Sequence, residues 1–221
     1  MSFPEYNSGI VSQLRIYFVE NPKPARQFLK AVNPQIDWNT IELYQHNKHA
    51  RETEQETEFI RRIREGENGG LLSDAGCPGV ADPGSRVVHL AHEAGIEVVP
   101  LVGPSSILLT LMASGMNGQN FSFAGYLPKD RDQRMKELRR FSSEIQKNGS
   151  TFIFIETPYR AHHLLEDILQ HIPDTLTLCA GIDLMTQKQQ IISQSIGAWK
   201  KNRKVKLEEK LVVFALGNPF F

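Results

Sequence analysis

The chain has 221 residues, room for one large domain or two small ones, and enough to bury a core without a disulfide or metal staple. Its 25 Lys and Arg balance 25 Asp and Glu, so net charge favours neither nucleic acid nor an acidic membrane surface, although a basic face can sit inside a neutral total. Cys77 and Cys179 lie far apart without metal or redox spacing, the opening "MSFPEYNSGI" has no charged leader before an apolar stretch, and no apolar run nears the ~20 residues that span a bilayer. A protein of a reducing cytoplasm is expected.

Along the chain, short apolar runs alternate with helical patterns. Residues 14–20, 40–46, 70–73 and 96–102 are rich in branched and aromatic side chains and predict strands. Between them, 52–66 predicts a helix with Phe59, Ile60 and Ile63 on one side and Gly66 after its end. Residues 84–95 predict another, with Val87, Val88, Ala91 and Ala94 inward and Gly95 ending it. The nearly all-apolar 105–115 predicts a buried helix capped by Ser105. This alternation implies an α/β layer with mostly parallel strands.

The composition breaks at "MNGQN" (116–120), which is expected to link an N-terminal domain (1–116) to a C-terminal one (120–221). Beyond it the pattern restarts. A strand at 121–125 precedes a charged helix at 131–147 with Met135, Leu138, Phe141 and Ile145 as its apolar stripe. A strand at 150–156 leads to Thr157 as N-cap and Pro158 at the first position of a helix reaching 172. Runs at 176–182, 189–195 and 210–216 supply closing strands. The expected architecture is two α/β domains, the first with a mostly parallel sheet and the second with a mixed one.

Residues 70–84, "GLLSDAGCPGVADPG", hold four glycines and two prolines, with Asp74 and Asp82 and no cation from Glu67 through Ser85. The stretch matches neither GxGxxG nor GxxxxGK[ST], and two carboxylates would repel a pyrophosphate. They suit a ligand with positive charge and hydroxyls, such as S-adenosylmethionine with its sulfonium, ammonium and ribose diol. A tight turn with two solvated aspartates is the other reading. "VGPSS" (102–106) offers Ser105 and Ser106 at a helix start. If 96–102 is a parallel strand, the two loops share one rim, where ligands of such sheets bind.

With "SDAGCPGVADPG" (73–84), "PLVGPSS" (100–106), "FAGYLPKDRDQR" (123–134), "IETPYR" (155–160) and the pair His46 and Asn47, the chain resembles the tetrapyrrole methylase-like (class III) S-adenosylmethionine-dependent methyltransferases over residues 10 to 218. Within them it is most similar to the ribosomal RNA small-subunit methyltransferase I branch, which 2′-O-methylates a cytidine of 16S ribosomal RNA. The resemblance implies a cofactor in a cleft between the domains and a homodimer. By position it implies cofactor contacts from Ser73, Asp74, Ala75, Gly76, Val80, Ala81, Asp82, Ser105 and Ser106. From the second domain it implies contacts from Ile155, Glu156, Thr157, Pro158, Ile182 and Asp183. Ile155 reads as core before it reads as a contact, and Asp82 equally reads as a cap for the helix near Ser85.

On the acceptor side, Tyr126, Arg134 and Arg160 lie in matched motifs and are expected to meet the RNA. "WKKNRKVK" (199–206) packs five cations into eight positions beside a tryptophan; a solvated face is favoured there over an RNA contact that stacks a base. No spacing singles out a catalytic base among Glu20, Glu156 and Asp183, and no metal cluster is evident. His162 and His163 read as a helix surface.

Three departures stand against the family pattern. The family's opening strand and Pro-x-Gly loop should precede a helix ending near Leu14, and the residues before that point do not read as a strand. The acidic Glu-Asp-Thr-Arg reads "ENPK" (20–23), and Arg-Glu-Leu-Thr-Lys reads "GIDLMTQ" (181–187). A methylase of tetrapyrrole carbon atoms and a binding protein without turnover are the alternatives. The loop's "SDAGCPG", in place of Gly-Asp-Pro, favours RNA over the first.

Overall fold

The computed structural model describes residues 3–46, 54–202 and 205–219. The chain divides into two compact units, Met1–Pro104 and Ser105–Phe221.

In the first unit, helix α1 (Glu5–Gln13) ends at Leu14, as expected, and leads into β1 (Ile16–Val19). Helix α2 (Pro22–Val32) starts where the Asn21 side chain accepts the Lys23 N–H at 3.1 Å. A 3₁₀ turn (Trp38–Thr40) precedes β2 (Glu42–Gln45), and α3 (Glu54–Arg64), β3 (Gly69–Leu72) and α4 (Ser85–Glu93) follow. The sheet is parallel, in the order β2-β1-β3. All four residues of β1 are buried, as a central parallel strand covered on both faces requires. Alternation sends Tyr17 and Val19 to a cluster with Leu29, and Ile16 and Phe18 to one with Phe59 and Val87.

The strand expected at 96–102 does not form. The Ile96 N–H is drawn back to Ala91 O at 2.9 Å, Pro100 has no N–H to donate, and Val99 and Val102 are exposed. The run is apolar enough for a strand but joins no sheet.

The second unit opens with α5 (Ser106–Ser114), followed by β4 (Phe121–Tyr126), α6 (Arg131–Asn148), β5 (Thr151–Glu156), α7 (Pro158–His171), β6 (Thr177–Ile182), β7 (Gln190–Ser195), α8 (Ile196–Lys201) and β8 (Val212–Gly217). The mixed sheet runs β4-β5-β8-β6-β7, with β4 and β5 parallel and the remaining neighbours antiparallel. Phe152, Phe154, Leu178, Ala180, Phe214 and Leu216 share a core with the predicted α6 stripe and with α7. The alternate residues Ile153, Cys179, Val213 and Ala215 pack with Leu111 of α5. Burial pushes the Cys179 thiol up to about 11, so it behaves as a small core side chain.

Two expectations are corrected here. Helix α5 covers the sheet on one side only: Leu111 is buried, but Leu108 is 50% and Met112 79% exposed. The 116–120 stretch lies inside the second unit, where Asn117 Oδ1 accepts the N–H groups of Gln119 and Asn120 and Asn117 Nδ2 donates to Gly149 O. Asn-driven turn chemistry produced the composition break.

Candidate cofactor and acceptor site

In the first unit, β1 pairs Val19 with both Gln45 and Leu72, so the three parallel strands end together. The next residues, Glu20, His46 and Ser73, therefore lie on one rim, the edge where open parallel sheets take ligands. The 73–84 loop starts there. The Ser73 hydroxyl donates to Ala75 O at 3.0 Å and accepts the Ala75 N–H at 3.4 Å. Gly76 and Gly79 turn the backbone at φ +78° and +79°, and Ala81 adopts φ +55°. Asp74, Ala75, Gly76, Val80 and Ala81 are exposed.

Asp82 explains why this loop is ordered. Its Oδ1 accepts the N–H of Gly79 at 2.9 Å and of Gly84 at 2.7 Å, just ahead of α4. The capping reading of Asp82 is not borne out: α4 has no side-chain cap at its N-terminus, and this oxygen closes the loop ahead of the helix instead. The other, Oδ2, is buried and has no hydrogen-bond partner among the described residues. A Cβ on Gly84 would stand 2.7 Å from Asp82 Oδ1 and 3.1 Å from Leu71. Gly84→Ala is therefore expected to destabilise the first unit by about 1–3 kcal/mol, measured as a lower urea midpoint. Although 96–102 is no strand, its continuation still reaches the loop: the Cys77 thiol lies 3.8 Å from Pro104 O.

In the second unit, β5 and β6 both run antiparallel to β8, and Val212 pairs with both Glu156 and Ile182. Tyr126 pairs with Ile155. The register thus gathers Tyr126, Ile155, Glu156, Thr157, Pro158, Ile182 and Asp183 at one sheet edge. Their side chains differ in availability. Ile182 is core, Ile155 is half-buried against the α5 cluster, and Tyr126 is exposed. Glu156 is buried, with Oε1 accepting the Thr157 N–H at 2.7 Å and Oε2 paired with Arg160. Thr157 caps α7 without a side-chain bond, and Pro158 occupies its first turn.

Asp183 sits at φ +46°, and its carboxylate accepts from Lys210 Nζ at 2.8 Å and from the Leu211 N–H at 3.2 Å. The Lys210 hydrogen bond holds its carboxyl below the ordinary aspartate range. Ser105 Oγ accepts the Leu108 N–H at 3.5 Å as the N-cap of α5, while Ser106 is exposed.

The two arginines are anchored within the fold. Arg134 grips Asp167 with Nη2 and Nε at 2.6 and 3.0 Å and donates to the carbonyls of Pro128 and Lys129. Arg160 pairs with Glu156 and donates to Leu127 O at 3.1 Å. Together they hold the three carbonyls that follow Tyr126.

For the basic run, the less favoured reading, in which Trp199 stacks a base, does not hold. Trp199 is 1% exposed, and its indole N–H donates to Leu178 O at 2.9 Å. Arg203 and Lys204 of that run, like Asn47 of the motif pair, lie outside the described residues. His162 and His163 each have Glu166 within 3.7 Å, as neighbours on a helix surface. No composition signal marked Glu56, an acid of the Glu-rich 52–58 stretch that turns out to be 2% exposed beside His46.

A two-unit α/β chain with a glycine-rich, cation-free loop at a parallel rim defines a family, and comparison identifies it. Residues 14–198 match the family described as Tetrapyrrole (Corrin/Porphyrin) Methylases, and the chain belongs to that family. It is 33% identical over 160 residues to "Ribosomal RNA small subunit methyltransferase I" of Vibrio cholerae serotype O1, covering 72% of this chain and 52% of that protein. It is 30% identical over 186 residues to the protein of the same name from Escherichia coli O157:H7, covering 83% and 62%. The chain thus spans little more than half of the first relative and under two thirds of the second.

Solved structures share the fold. The methyltransferase CobJ superposes with TM-score 0.60 at 17% identity, over 97% of this chain and 87% of that one. The Uroporphyrin-III C-methyl transferase from Thermus thermophilus, complexed with S-adenyl homocysteine, gives 0.57 at 16%, over 98% and 91%.

Proposed function

We propose that the protein is an S-adenosylmethionine-dependent methyltransferase that methylates the ribose 2′-hydroxyl of a cytidine in 16S ribosomal RNA. The observation that carries the cofactor is Asp82: in an open, cation-free glycine loop, its Oδ2 is a buried acceptor without a partner among the described residues. A ribose hydroxyl or an ammonium supplies the donor that such an atom lacks, whereas a phosphate does not. The residues present therefore fit the cofactor. Ser73, Asp74, Ala75, Gly76, Val80, Ala81 and Asp82 would hold it from the first unit.

Bound there, the cofactor supplies an electrophilic methyl group on a cationic sulfur. The protein's own task is to align an acceptor oxygen and keep water out. Support for ribosomal RNA as acceptor comes from the names of the relatives, and Tyr126, on the stretch held by Arg134 and Arg160, is an exposed aromatic side chain that a base could meet, as is Tyr159 in the first turn of α7. An RNA acceptor places the protein in the cytoplasm, and sedimentation velocity is expected to show a homodimer.

The test is transfer of labelled methyl from S-adenosylmethionine to small ribosomal subunits, or to their RNA, from a strain lacking the gene. Label on a cytidine ribose is expected. Clear cofactor binding without label in any RNA fraction would refute the acceptor and turn attention to tetrapyrroles, whose addition would then change the absorption spectrum.

A further inference from the structure

His46 follows β2, and its N–H donates to Val19 O at 3.0 Å, so the backbone of the sheet sets its position on the rim. Its imidazole is 17% exposed, and Nδ1 lies 3.7 Å from Glu56 Oε1. Glu56 of α3 is 2% exposed, and its Oε2 accepts from Arg86 Nε of α4 at 2.9 Å. A buried carboxylate held by an arginine on one side and facing an imidazole on the other is costly to maintain for packing alone, since two apolar side chains would fill that space without desolvating an ion pair. Beside it is a cavity of about 10 Å³, lined by Glu20, His46, Leu72 and Asp82 among others, with room for about one water. His46 Nδ1 and Asp82 Oδ2 both lack hydrogen-bond partners among the described residues.

We propose that His46 is the general base of the reaction, and that Glu56 and Arg86 are positioning residues that fix its tautomer. This rests on the hydroxyl acceptor proposed above. With the Nδ1 proton directed at Glu56, Nε2 keeps its lone pair, the arrangement in which a base is oriented by a third group. Catalytic contacts of this kind are often long before substrate binds and shorten afterwards, which accounts for the 3.7 Å separation. The acceptor O–H bond breaks, its proton passes to Nε2, and the oxygen pair forms the new bond to the methyl carbon. The pair of the broken C–S bond stays on sulfur, and the imidazolium returns its proton to solvent. Among the described residues, Glu56 of α3 faces the ring, Asp82 of the loop and Glu20 beyond β1 line the same cavity, and Arg86 of α4 pairs with Glu56.

Two readouts test this. In the full chain saturated with S-adenosylhomocysteine and ribosomal RNA, imidazole ¹⁵N shifts are expected to show the His46 ring proton on Nδ1, and Glu56→Ala is expected to abolish that preference. An Nε2–H tautomer in the wild type would overturn the assignment. With ribosomal RNA as acceptor, His46→Ala and His46→Gln are each expected to lower kcat by about 10²–10⁴-fold while calorimetric affinity for S-adenosylmethionine stays within threefold. Added imidazole should restore part of the rate to His46→Ala, and the acid limb of the wild-type kcat profile should vanish. Either variant working at wild-type rate, or a loss that imidazole does not relieve with the pH profile unchanged, refutes His46 and leaves the acceptor reading intact. A wild type that binds cofactor but methylates no RNA refutes both.

Discussion

Asp167→Ala is expected to destabilise the protein by about 3 kcal/mol, read from urea unfolding, because it strips a half-buried guanidinium of its buried counter-charge. Arg134 is 12% exposed and Asp167 9%, with two contacts of 2.6 and 3.0 Å between them. Arg131 adds a third at 3.1 Å from a more exposed position. Burial acts to raise the Asp167 carboxyl, but the hydrogen bonds from Arg134 and Arg131 outweigh it and leave the group below the ordinary aspartate range. A carboxyl lowered by folding stabilises the native state above its unfolded value, and that contribution is lost as pH falls through the folded value. Acid should therefore reduce the gap between wild type and Asp167→Asn, and the two unfolding midpoints should converge as pH drops below about 4. The same substitution frees Arg134 from one anchor, so the Leu127–Lys129 carbonyls loosen and Tyr126 loses its fixed position.

Trp199→Ala is expected to cost about 3–5 kcal/mol, the range for emptying a large aromatic site. Trp199 is among the largest fully buried side chains and packs within the main core of the second unit. Trp199→Phe should recover most of this and retain a deficit of about 1–2 kcal/mol, because Leu178 O then faces the core without the indole N–H. A side chain that stacked on a nucleobase would behave oppositely: stability would hold and RNA affinity would fall. Thermal unfolding and RNA titration on one pair of variants separate these outcomes.

Periodicity carried most of the fold. The α6 stripe of Met135, Leu138, Phe141 and Ile145 is buried as its spacing required, and the alternating β5, β6 and β8 runs sort onto two faces. Tertiary partners decided the failures. Residues 96–102 are strand-like in composition, yet a strand needs a neighbour, and this one has Pro100 in its middle. Helix α5 is apolar all round but meets a sheet on one side, so Leu108 and Met112 remain outside. Helix α2 was overlooked because its prolines sit at the helix start, where they are tolerated and not disruptive. In the candidate site, the loop was legible from glycine and aspartate content. What no spacing reveals is which polar atoms the fold has already satisfied. Asp183, Glu156 and Ser105 are engaged by Lys210, Arg160 and Leu108, whereas one oxygen of Asp82 is left over among the described residues.

Asp183 is already tied to Lys210 and to the Leu211 N–H, so the loop oxygen of Asp82 is the acceptor on which cofactor binding can be tested. The most direct measurement is isothermal calorimetry of S-adenosylmethionine into the wild-type chain and Asp82→Ala. Micromolar or tighter binding to the wild type is expected, weakened by about tenfold or more in the variant, with a matching thermal shift. Absence of heat and of any thermal shift in the wild type at millimolar ligand would contradict it.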